Sequence, residues 1–109
     1  MKRLHIQLQP MRSDGDVAAH VEALTAVAST HDPDAVIDIE NGEDNGPYTN
    51  VNIYTNDVTS LWVALSDLIT NATWAPATIV CSEGANGWHD YYLLHHFDKT
   101  EPLDTLPEA

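Results

Sequence analysis

The hydrophobic period of this chain changes from two to about 3.6 and back, twice. That succession restricts the fold more than any other feature. Leu4, Ile6 and Leu8 alternate with His5, Gln7 and Gln9, the pattern of a strand with one buried face. Pro10 has no N–H for a ladder and closes the run. From Asp14 the period lengthens, and Val17, Val21, Leu24 and Ala28 recur at helical spacing. Asp14 or Asp16 is placed to cap that helix, and His31-Asp32-Pro33 to stop it. Ile37 and Ile39 then alternate with Asp38 and Glu40, and Val51 and Ile53 with Tyr48, Asn50, Asn52 and Tyr54. The turn signal between them, Gly42, Asn45-Gly46 and Pro47, predicts a β-hairpin. Val58, Leu61, Trp62, Leu65, Leu68 and Ile69 make one helical stripe behind Asn56 or Asp57 as cap. Residues 77–82 read as a short apolar strand, and residues 88–97 as a last strand after a turn with two glycines.

The predicted order is β-α-β-β-α-β with a fifth strand added, which is the split-βαβ, ferredoxin-like order of an α+β domain. Two helices should cover one face of an antiparallel sheet and leave the other open. Strand four should lie beside strand one, and strand five should extend the sheet by a hairpin. Residues 1–98 are expected to form one domain, and residues 99–109, with two prolines and weak patterning, a loosely docked tail. A chain of 109 residues can bury a modest core without disulfides or metal.

If the aliphatic side of each strand faces the helices, the open face receives His5, Gln7 and Gln9. It also receives Asp38, Glu40, Tyr48, Asn50, Asn52 and Tyr54. The last strand adds either His89, Tyr91, Leu93, His95 and Phe97, or Trp88, Asp90, Tyr92, Leu94 and His96. Both sets mix apolar and polar residues, so periodicity does not choose between them.

Charge narrows the partners. Four Lys or Arg face seventeen Asp or Glu, a net charge of −13. No Lys or Arg falls between Ser13 and Asp98. Nucleic-acid binding needs clustered cations to displace counterions, so it is not expected. A negative surface suits either solvation at high salt or steering toward a basic protein partner. No apolar run approaches the ~20 residues of a membrane span, so no membrane association is expected. Lys2 and Arg3 precede no apolar core of a secretory leader, and Cys81 has no second cysteine to pair with. The expected location is cytoplasmic.

Chemistry-bearing motifs are sparse. The stretch "CSEGANGWHDYYLLHHFD" holds Cys81 and three histidines, but His95 and His96 are adjacent in a strand and point apart. No histidine spacing matches a metal site, and "ENGEDNG" lacks the alternating acids of a calcium loop. An apolar strand in an acidic protein should raise the pKa of Cys81, against a nucleophilic role. No phosphate-cradling glycine motif is present. No cofactor, metal ligand or catalytic residue is therefore assigned.

Size, acidity, predicted order and the phrase "GWHDYYLLHHFD" (residues 87–98) resemble small acidic bacterial α/β proteins, in type the immunity proteins of toxin systems. The resemblance implies a cytoplasmic inhibitor that occludes a basic toxin through a negative, tyrosine-bearing surface. The expectation is a non-enzymatic acidic binding protein. Its partner-binding residues are taken from the two hairpin turns: Glu40, Glu43, Asp44, Tyr48, Tyr54, Trp88, His89 and Asp90. Two alternatives are a small-ligand binder or enzyme using His5, His89 or His95 on the open face, and a homodimer through strand five or the sheet face.

Overall fold

The computed structural model describes residues 1–106. Five strands and two helices follow the expected order: β1 (Lys2–Leu8), α1 (Val17–His31), β2 (Val36–Glu43), β3 (Pro47–Thr55), α2 (Val58–Ile69), β4 (Thr78–Gly84) and β5 (Gly87–His95). The sheet order is β2-β3-β1-β4-β5, antiparallel throughout, so the fold is α+β, ferredoxin-like, with an added fifth strand. Of the expected tail, residues 107–109 lie outside the described residues.

β1 is the central strand because Leu4, Ile6 and Leu8 are wholly buried under the helices. Val51 and Ile53 of β3 and Val80 of β4 continue that layer. α2 closes it with Val58, Leu61, Leu65 and Ile69. Asp57 caps this helix by accepting from the N–H of Ser60, and Asp16 caps α1 by accepting from the N–H of Ala19. The buried positions of α1 are His20, Leu24 and Ala28. His20 stacks on the buried Trp74 with ring centroids 4.6 Å apart, and its Nε2 has no hydrogen-bond partner. A histidine thus occupies the stripe that periodicity assigns to aliphatic residues.

Two sequence expectations need correction. Ile39 lies on the helix side opposite Val51 but remains 44% exposed, because β2 is the edge strand of the sheet. In β5, neither alternating set survives intact. Between the pairs Ser82–Tyr92 and Gly84–Gly87, β4 advances two residues and β5 five. A further register shift falls between Val80 and Cys81. Such bulges break the two-residue alternation. Tyr92 and Leu94 therefore pack on the core, whereas Trp88 and Tyr91 line the open side with His5. The folded-over segment needs Gly84, since a Cβ there would collide with the carbonyl oxygen of Asp90. β5 ends at His95, so His96 and Phe97 lie beyond it.

After β5 the chain returns along its outer edge. The Asp104 N–H donates to the carbonyl of Leu93 at 2.7 Å, and the Leu93 N–H donates to Asp104 Oδ2 at 2.8 Å. Leu106 packs against the core. This strap covers part of one sheet edge, while among the described residues no strand pairs with the outer edge of β2.

Candidate functional site on the open sheet face

Register places the open face in rows. Asp38, Asn52, His5 and Cys81 form one, with Leu93 at its end. Glu40, Asn50, Gln7 and Ile79 form the next. The two rows are joined by a hydrogen-bond chain. Asn52 Nδ2 donates to Glu40 Oε1 at 3.0 Å, and Asn52 Oδ1 lies 2.7 Å from His5 Nδ1. An ionised carboxylate only accepts, so the amide nitrogen must face Glu40 and the amide oxygen must face the imidazole. His5 is therefore the donor at Nδ1, and in its neutral form Nε2 carries the lone pair. Asn52 is almost fully buried, which makes this amide a fixed part of the sheet.

The two arginines of the chain sit at opposite ends of this face. The Arg3 guanidinium lies 4.6 Å from the Trp88 ring centroid and 5.9 Å from that of Tyr54. Its Nε is buried and has no hydrogen-bond partner. Arg12 lies 3.9 Å over Phe97, and its Nε donates to Gln9 Oε1. Among the described residues neither arginine pairs with a carboxylate. Each cation is held by aromatic faces instead. Glu83, the acid closest in register to Arg3, accepts from the Arg3 backbone N–H at 2.9 Å.

Two clefts result. One, of about 580 Å³, has a mixed polar and apolar lining and lies beside the β2–β3 turn, between Gln7, Arg12, Asp44, Tyr48, Met11 and Phe97. The other, of about 290 Å³, is lined by Arg3, His5, Cys81, Trp88 and Tyr91. In it, burial and then the Asp104 carboxylate push the Cys81 thiol up from its ordinary value. A raised thiol pKa works against nucleophilic use of Cys81, although it lines the same cleft as His5.

The eight residues expected to bind a partner fall into two groups. Glu40, Glu43, Asp44 and Tyr48 gather at the β2–β3 corner, where Asn45 and Gly46 take positive φ and make the turn. Tyr48 lies over Gly42, where a Cβ would strike its ring. Tyr54, Trp88, His89 and Asp90 lie toward the opposite end of the sheet, with Asp90 accepting from the Asn86 N–H. The three histidines of the ligand alternative do not converge. His5 lines the smaller cleft, His89 is exposed, and His95 bonds the carbonyl of Ala75 at 2.9 Å. Among the described residues no cluster of His, Cys, Asp or Glu is arranged to hold a metal ion. No described helix is long and apolar enough to cross a membrane.

Arg3 and Arg12 are the site residues that sequence reasoning missed. Extending the alternation of β1 back by one step puts Arg3 on the same face as His5 and Gln7. Nothing local places Arg12 against Phe97, which is 85 residues away in the chain. No protein-family model matches this chain, and neither the curated proteins nor the solved structures give a match.

Proposed function

We propose that this chain is a non-enzymatic binding protein that recognises a basic protein partner through its acidic β2–β3 edge, in the manner of an immunity-type inhibitor. The observation that carries this reading is the free edge strand. Asp38, Glu40, Glu43 and Asp44 are all exposed on β2 and its turn, and among the described residues no strand lies beyond β2. Val36, on the same face as Asp38 and Glu40, is 55% exposed, and Ile39, on the helix side, is 44% exposed, so each side of the edge strand offers one apolar contact beside the acids. The field of a chain with net charge −13 would speed encounter with a basic surface, and the edge would supply the contact. In an inhibitor of this kind the location is the cytoplasm, where the toxin would act on its own producer.

The test is capture from an extract of the native host, at low and at high salt, with wild type and with a variant carrying Asp38→Asn, Glu40→Gln, Glu43→Gln and Asp44→Asn. The reading expects a basic protein retained at low salt, released as salt screens the charges, and lost with the variant. A defined stoichiometric complex on size-exclusion chromatography completes it. Retention that is indifferent to the four substitutions, a homodimer as the sole complex, or no retained protein overturns it.

A further inference from the structure

We infer that the cleft between Arg3, His5, Trp88 and Tyr91 binds a small aromatic carboxylate. This goes beyond the acidic-edge reading and does not rest on it, because the cleft lies on the open face across the sheet from β2. The first ground is the state of Arg3. In a chain with seventeen acids, its guanidinium has ring faces for neighbours and an Nε that meets no acceptor. Aromatic rings screen the cation but are not conventional acceptors for its five N–H donors. A carboxylate matches that planar fork in two parallel hydrogen bonds.

The second ground is the wall of the cleft. Trp88 is 36% exposed and Tyr91 53% exposed, so two aromatic side chains offer area to a ring brought in by the carboxylate. The His5 ring stands nearly perpendicular to Trp88 at 6.5 Å, and its Nδ1 is taken by Asn52. The Nε2 edge is left as a polar contact for a ring substituent. The hollow is shallow, and its volume of about 290 Å³ lies just under the roughly 300–1,000 Å³ of ligand clefts, which limits an occupant to about one ring. Glu83 is the internal competitor; its Oε1 accepts from the Arg3 backbone N–H, and it makes no ion pair with the guanidinium among the described residues.

The probe is sodium benzoate, added at constant ionic strength to the ¹⁵N-labelled full chain, with the Trp88 indole N–H signal followed by NMR. Benzamide is the neutral control of the same shape. The expected result is a saturable shift with benzoate. Affinity should fall about tenfold or more for benzamide, and by as much for benzoate with Arg3→Met. Should Arg3→Met fail to fold, Trp88→Leu on the exposed hairpin serves instead, followed at the Tyr91 amide, with the same weakening expected. Equal affinity for benzoate and benzamide, unchanged binding in the variant, or no saturable shift with benzoate overturns the assignment.

Discussion

His5 Nδ1 lies 2.7 Å from Asn52 Oδ1, and the carboxylate on the far side of Asn52 determines which atom of that pair holds the proton. Glu40 can only accept while ionised, so it turns the amide nitrogen toward itself and the oxygen toward the imidazole. An exposed acid on an edge strand thereby sets the tautomer of a histidine two strands away. Neutral His5 should be found as the Nδ1–H tautomer by long-range ¹H–¹⁵N NMR. Glu40→Gln frees the amide to turn over, and the His5 signals should move toward a mixture of tautomers. Wild-type signals of the Nε2–H form would contradict this chain. Asn52→Leu should cost about 1–3 kcal/mol in urea unfolding, because a buried amide with two partners is lost.

His20 supplies a pH dependence with a definite sign. Burial against Trp74 pushes its pKa down from 6.5 to about 4. The unfolded chain therefore binds a proton more readily than the folded one. Stability contributed by neutral His20 is full above about pH 6.5 and falls as pH drops toward 4, by at most about 3 kcal/mol. Relief of repulsion among the carboxylates acts in the opposite direction over part of that range, so a difference measurement is needed. His20→Phe keeps a ring on Trp74 without the titrating group. Between pH 7 and 5 wild type should lose stability relative to this variant in parallel urea titrations. Equal responses would show that His20 is not held neutral.

Most of the layer that faces the helices was legible from alternation alone, because Leu4, Ile6 and Leu8 of β1 and Val51 and Ile53 of β3 are wholly buried on one face of a central strand pair. Caps were legible to within two residues, since Asp16 and Asp57 are short acceptors just ahead of an apolar stripe. The face of β5 was not, because a bulge is a tertiary event that no local period announces. It exists here because Gly84 leaves room for the Asp90 backbone, a fact carried by packing and not by hydropathy. Arg3 was hidden for a different reason. Read as part of a basic start to the chain, it becomes a site residue only when Trp88 is brought over it by that bulge.

The bulge makes a prediction about two adjacent leucines. Leu94 is 6% exposed and packs among the core side chains, while Leu93 pairs with Cys81 on the open side. Leu94→Ala should cost about 2–5 kcal/mol, the range for a cavity left in a packed core. Leu93→Ala should cost about 1 kcal/mol or less, because part of its surface already meets water. Chemical denaturation of the two variants reads the difference directly. The reverse order would mean that β5 presents its other face to the helices.

Asp104 ties the returning strap to β5 and also sets the reactivity of a thiol. Its carboxylate accepts from the Leu93 N–H, and Leu93 faces Cys81 across the β4–β5 pair. Burial first, and this negative charge second, raise the pKa of Cys81. Asp104→Asn keeps an oxygen for the Leu93 N–H and removes the charge. The inflection in the rate of Cys81 alkylation against pH should then move to lower pH. At pH 8 the thiolate fraction rises and iodoacetamide should react faster. Asp104→Ala loses the hydrogen bond as well, so the strap loosens and the plateau rate at high pH should also increase. A plateau that rises in the alanine variant but not in the asparagine variant separates access from charge. An inflection that does not move in Asp104→Asn would leave burial as the sole cause of the raised thiol.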